Sequence, residues 1–119
     1  ATTRPYLRKF AIVDEKFNND VCSSGFAVLK YNPTKYNLDF IKEFLQSFYG
    51  IKQLKEKMTG GLYPAITSSE LKTVKIPNPD IEIQNKITVY IESLKDKTKN
   101  LKEEAIKNKK LALKEFEKE

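Results

Sequence analysis

Residues 81 to 119 constrain the fold more than any other stretch, because they are rich in lysine and glutamate yet thinly apolar. Ile87, Ile91, Leu94, Thr98, Leu101, Ala105, Asn108 and Ala112 recur at alternating spacings of four and three, which is the period of a coiled-coil seam. The spacing predicts a single helix of about 55 Å, at ~1.5 Å per residue. So few apolar residues do not stabilise a helix alone, so a partner helix is expected along Ile87, Ile91, Leu94, Thr98, Leu101, Ala105 and Ala112. Thr98 and Asn108 would lower stability in that seam while restricting register and partner number. Past Ala105 a second stripe of Ile106, Leu113 and Phe116 takes over. The plainer alternative is a charged, solvated helix.

What precedes the helix is small. A domain of ~60 to 80 residues buries little more than ~60% of its unfolded surface and is marginal alone. The chain runs from Ala1-Thr2-Thr3 almost directly into an apolar stretch, which suggests a fragment of a larger protein. Tyr6 to Val13 and Gly25 to Tyr31 are short, aromatic and β-branched, and a polar stretch from Asn18 to Ser24 separates them. Both are predicted strands. Asn37 is placed to cap a following helix. Phe40, Ile41, Phe44, Leu45, Phe48, Ile51 and Leu54 then keep helical spacing to about Lys57, with Gly50 as a candidate kink. Thr67-Ser68-Ser69-Glu70 fits a capping box, and Leu71 to Ile76 reads as a helical turn followed by a strand. Pro77-Asn78-Pro79 ends it, and Asn78 or Asp80 caps the last helix. The expected fold is α+β: a small mixed portion over residues 1 to 80 and a long coiled-coil helix over residues 81 to 119.

The residue inventory argues against chemistry. The 119 residues contain no histidine and one cysteine, which removes Cys-His and Ser-His pairs and the usual zinc ligand sets together. Cys22 is expected as a buried structural thiol in a reducing, cytoplasmic setting. No run approaches the ~18 apolar residues of a membrane span. Thr59-Gly60-Gly61 lacks the lysine-serine pair of a phosphate loop and the spacing of a dinucleotide fold. No catalytic residue, metal or cofactor is called for.

Binding is better supported. The chain carries 22 basic against 16 acidic residues, a net charge of +6, which suits a nucleic-acid partner without proving one. Lysines at 52, 55 and 57 lead into Thr59-Gly60-Gly61-Leu62-Tyr63, and Ser68, Ser69, Lys72 and Lys75 follow. Glycines let backbone approach a phosphate closely, and amides at the helix start near Thr67 can hold a phosphate oxygen. Charge and position therefore nominate Lys57, Thr59, Gly60, Gly61, Tyr63, Ser68 and Lys72 as DNA contacts, with Arg4, Arg8 and Lys9 as a second group. A helix C-cap and turn is the plainer account of Gly60-Gly61.

Three blocks in order carry a family resemblance. They are Cys22-Ser23-Ser24-Gly25-Phe26-Ala27-Val28-Leu29, Gly60-Gly61-Leu62-Tyr63-Pro64-Ala65-Ile66, and Lys75-Ile76-Pro77-Asn78-Pro79 with Gln84, preceded by Arg4-Pro5-Tyr6-Leu7-Arg8-Lys9. Together they resemble the target recognition domains of type I restriction-modification specificity subunits. The resemblance implies a non-catalytic element that binds one half of a bipartite duplex DNA target. It also implies a spacer helix that pairs within or between chains, and docking to modification (methyltransferase) and restriction subunits. Residues 1 to 80 would then be the later part of a recognition domain, with much of the base-reading surface elsewhere. Two alternatives remain: the recognition tail of a fused methyltransferase and restriction enzyme, or a coiled-coil interaction module that does not bind DNA.

Overall fold

A computed structural model describes residues 1–118, and the chain divides into two compact units, Ala1–Asn85 and Lys86–Glu119. Among the described residues four α-helices form: α1 (Leu38–Gln46), α2 (Phe48–Glu56), α3 (Ser68–Leu71) and α4 (Ile81–Glu117). Two short 3-10 turns, Pro5–Leu7 and Glu15–Phe17, precede them.

The fold is helical and the expected α+β architecture is wrong. Among the described residues β pairing is limited to two isolated bridges, Thr3 with Ala65 and Thr59 with Ala65. The reason lies in where the backbone amides go. In the first predicted strand, Leu7 N–H donates to Arg4, Arg8 N–H to Pro5 and Phe10 N–H to Arg8. Pro5 opens a 3-10 turn there, and Arg4 and Arg8 both take left-handed conformations, at φ 50° and 55°. In the second, Phe26 N–H turns back to Ser23. A strand is stable only when a neighbour receives its amides, and neither run has a ladder. Val13, Val28 and Leu29 are consequently more than half exposed, and Cys22, expected inside, is exposed as well. The strand expected before Pro77 is also absent, and that segment follows α3 without regular structure.

The helical pair forms by local rules. Asn37 caps α1 by accepting from Phe40 N–H at 3.1 Å. The single helix expected to Lys57 is broken at Ser47 rather than kinked at Gly50. Ser47 is extended (ψ 168°), ends α1, and its hydroxyl accepts from Gly50 N–H to start α2. The break resets the helical phase, so Phe48 turns outward and is 70% exposed. Gly50 serves a different purpose: a Cβ there would collide with the Phe44 and Leu45 carbonyls.

The core of this unit is small. Phe40, Leu45, Ile51, Leu54 and Ile66 are buried, and Tyr6, Phe10, Leu71 and Val74 pack against the Ile51, Leu54 and Ile66 cluster. Two glutamines hold the irregular segments to it. Gln53 from α2 donates to the Lys75 carbonyl at 2.9 Å and accepts from Lys75 N–H at 2.8 Å, standing in for a strand partner. Gln84, fully buried in the first turn of α4, accepts from Asn37 N–H at 2.9 Å and donates to the Lys35 and Pro79 carbonyls at 2.8 Å each. Asp80 immediately precedes α4, and its carbonyl accepts from Ile83 and Gln84.

The second unit is the remainder of α4, which is helical to Glu117. Leu94, Leu101, Ile106, Leu113 and Phe116 are all exposed, from 42% at Leu94 to 81% at Phe116.

Candidate nucleic-acid interface

The loop that follows α2 is closed at its base. Thr59 and Ala65 exchange both backbone hydrogen bonds, at 2.9 Å each. Within it Gly60 adopts φ 103°, a left-handed conformation that glycine reaches without strain. A Cβ at Gly60 would also stand 3.3 Å from the Tyr63 carbonyl, whereas one at Gly61 would meet open space. Only the first glycine is therefore required by the backbone.

The chain's first residues lie along the far side of this loop. Thr2 carbonyl accepts from Ile66 N–H at 3.0 Å, and Arg4 N–H donates to the Pro64 carbonyl at 2.8 Å. This seats the Arg4 guanidinium 5.0 Å from the centre of the Tyr63 ring. Such a cation–π contact contributes ~0.5–1 kcal/mol at an exposed site. It also offsets part of the ~1–2 kcal/mol that a non-glycine residue spends in the left-handed region. Lys55 from α2 lies 5.9 Å from the Tyr6 ring nearby in sequence to Arg4. Arg4, Thr59, Gly60 and Tyr63 are thus brought together from two distant stretches of chain.

The start of α3, proposed from sequence as an anion site, already holds a carboxylate of its own. The capping box forms in full: Glu70 N–H donates to the Thr67 hydroxyl at 3.2 Å, and Thr67 N–H donates to the Glu70 carboxylate at 2.8 Å. The Thr67 hydroxyl also donates to that carboxylate at 2.8 Å. These amides are already satisfied, and a negative charge sits where a phosphate was expected. The Thr67 hydrogen bonds, helped by the Lys57 charge, hold the Glu70 carboxyl below its ordinary range. Ser68 is exposed and its carbonyl accepts from Lys72 N–H, which closes α3 and leaves the Lys72 side chain exposed.

Arg8 and Lys9 are anchored to other parts of the unit. The Arg8 carbonyl accepts from Gln46 of α1 at 3.4 Å, and the Lys9 carbonyl accepts from the Ala1 amine at 2.9 Å. Along α4, Ile87, Leu94, Thr98, Leu101, Ala105 and Ala112 are exposed and Ile91 is partly buried. Sequence reasoning missed Gln53 altogether, and named Gln84 as part of a motif without assigning it a role. Gln84 had a signal in its fixed distance from Pro77 and Pro79, while Gln53 had none, since a polar residue on an amphipathic helix reads as solvated.

This is an open surface of cations and aromatics around a closed loop, the form of a binding module rather than an enclosed reaction centre. Residues 2–110 match the family model of the type I restriction modification DNA specificity domain. The match spans most of the chain, and the chain belongs to that family. Domains of this family serve DNA recognition in type I restriction-modification and are not themselves catalysts. No curated protein and no solved structure matches the chain. Among the described residues, no helix is long and apolar enough to cross a membrane.

Proposed function

We propose that the chain binds one half of a bipartite duplex target as part of a cytoplasmic specificity subunit. In this reading residues 1 to 80 belong to the recognition domain, and residues 81 to 119 form the spacer helix, which pairs with another helix of the same or a second chain. Methylation and cleavage are left to separate modification and restriction subunits. The observation that carries the reading is the joining of Arg4 to the Thr59–Ala65 loop. It puts a cation, an exposed aromatic ring and closely approachable backbone on one surface of a DNA specificity domain. Phosphate contacts from Lys57, Lys72 and Arg4 supply salt-dependent affinity there, and they orient the module without reading sequence. The exposed apolar positions of α4 support pairing, because a helix this polar gains most of its stability from a partner.

The test is the salt dependence of duplex binding. Changing Lys57 and Lys72 to alanine together should weaken binding for any duplex and flatten the log–log salt slope by about one unit per lost phosphate contact. Unaltered affinity and slope would move the DNA face elsewhere, with Arg8 and Lys9 next to be tried. In the same preparation, Leu94→Lys with Leu101→Lys should shift the sedimenting species to monomer. A wild-type chain that is monomeric at high concentration would remove pairing between chains.

A further inference from the structure

The tip of the Thr59–Ala65 loop exposes apolar surface that the fold itself does not use. Leu62 is 88% exposed and Tyr63 71%. A lone exposed leucine is ordinary, and by itself it would carry nothing. Here, however, three further observations coincide. The loop is clamped by the paired Thr59 and Ala65 hydrogen bonds and by the left-handed Gly60. Tyr63 is met by the guanidinium of Arg4, a residue from the start of the chain, 5.0 Å from the ring centre. Lysines lie on both sides of the segment in sequence, at 57 and 72. A leucine is therefore presented outward on a braced support in a cationic setting.

Phosphates satisfy the cations of such a surface but offer a leucine nothing. The apolar surfaces of a duplex are the faces of its bases, reached where a step opens, and the thymine methyl groups of the major groove. The two arms of the loop stand one hydrogen-bonded pair apart, ~5 Å between backbones. That ribbon with its side chains is too wide to enter a minor groove ~6 Å across, so only the tip side chains can penetrate. Apolar wedges backed by arginine are a known way for proteins to open and kink a step from that groove.

We propose that Leu62 is a wedge that enters a base step of the bound duplex, with Tyr63 behind it and Arg4 as the positioning residue that holds the ring. The proposal rests on this face being the DNA face. The energetic logic is an exchange: unstacking a step costs a few kcal/mol and is cheapest at TA and CA steps, which are the most deformable. The wedge thus confers a preference for deformable steps without any hydrogen bond to a base.

The experiment reads binding and unstacking separately on short duplexes. An end label reports binding by anisotropy, and 2-aminopurine placed at a TA, CA or GC-flanked step reports loss of stacking by a rise in fluorescence. The full chain should raise the fluorescence at TA and CA steps more than at the GC-flanked step. Leu62→Ala should abolish the rise and weaken binding roughly tenfold, with an unchanged melting temperature because the side chain lies in solvent. Leu62→Met should restore both. Arg4→Lys should keep the salt slope yet diminish the rise, and a rise equal to wild type would remove the positioning role. Binding with no rise at any step would overturn the wedge while leaving the DNA face standing. Loss of affinity on replacing thymine by uracil, again with no rise, would overturn it in favour of methyl contact. No anisotropy change at all would refute the DNA face and the wedge together.

Discussion

Residues 7 to 31 are richer in apolar side chains than residues 32 to 85, yet only the second stretch buries any of them fully. Val13, Phe17, Val21, Phe26, Val28 and Leu29 are all at least half exposed, while Phe40, Leu45, Ile51, Leu54 and Ile66 form the core. A larger apolar share does not by itself produce a core. The difference is the address of the backbone hydrogen bonds. A helix satisfies its amides within its own turn of sequence, and its ends are completed by a neighbour such as Asn37 or Ser47. A strand must find its acceptor on another strand, and two short runs without a third have little independent stability. Where the backbone closes locally the side chains acquire fixed faces and can pack; where it does not, they stay in water.

The largest effect expected from this contrast is in the core. Leu54 is 2% exposed in the centre of the Ile51, Leu54 and Ile66 cluster. Leu54→Ala should cost ~2–5 kcal/mol, a large fraction of the ~5–15 kcal/mol that holds a typical domain. Val28→Ala, at 66% exposure, should stay within ~0.5 kcal/mol. Denaturant midpoints of the two variants measure the contrast directly. Equal losses would mean that the 7 to 31 stretch is packed in solution, and the distinction drawn above would collapse.

A second, intermediate effect sharpens the point about backbone closure. The segments around Lys35 and Pro79 are not helical, and a side chain closes them instead. Gln84→Ala leaves the Asn37 N–H and the Lys35 and Pro79 carbonyls without that partner in a part-buried setting. A loss of ~1–3 kcal/mol is expected. Asn85 is the control, since its side-chain amide oxygen accepts from the Asn37 side chain at 2.7 Å on the exposed side. Asn85→Ala should cost less, because water replaces its partner. A Gln84→Ala chain as stable as the Asn85→Ala chain would show that the buried amide is not what fixes these segments.

The same principle decides what could be read from the residues alone. Asn37, Thr67 with Glu70, and the long α4 were legible because caps and helical period act over a few residues. The strands at 7 to 13 and 25 to 31 were not, since their propensity is real but its expression depends on pairing that no local signal reports. Gly50 drew attention as a kink, but the break fell at Ser47, whose hydroxyl can cap a new helix. Phe48 was lost from the core by that reset of phase. At the candidate interface, Gly60 and Tyr63 were nominated from composition and spacing. The stacking of Arg4 on Tyr63 was not, because it joins residues that only the folded chain brings near each other. The capping box was read correctly; what the residues alone did not convey is that it already holds a carboxylate at the start of α3.

That last point yields the smallest effect, and it is a pH dependence. The Glu70 carboxyl is held below its usual range, first by the backbone hydrogen bond from Thr67, then by the Thr67 hydroxyl, with the Lys57 charge adding to both. A carboxyl lowered in the folded state contributes its stabilisation above the pKa of the unfolded chain. It loses that contribution as the pH falls through the lower, folded pKa. The Thr67 amide should therefore titrate by nuclear magnetic resonance with a midpoint below the ordinary range of a glutamate carboxyl, and α3 should fray as it does so. In Glu70→Gln the amide side chain can still accept from Thr67 N–H, so the cap should persist while the pH step disappears. Lys57→Ala should move the midpoint slightly upward, because the Lys57 charge is the lesser cause. A Thr67 amide that titrates in the ordinary glutamate range would mean that the box is open in solution. The start of α3 would then again be available to a phosphate, and the boundary between closed and open backbone would have to be redrawn to include it.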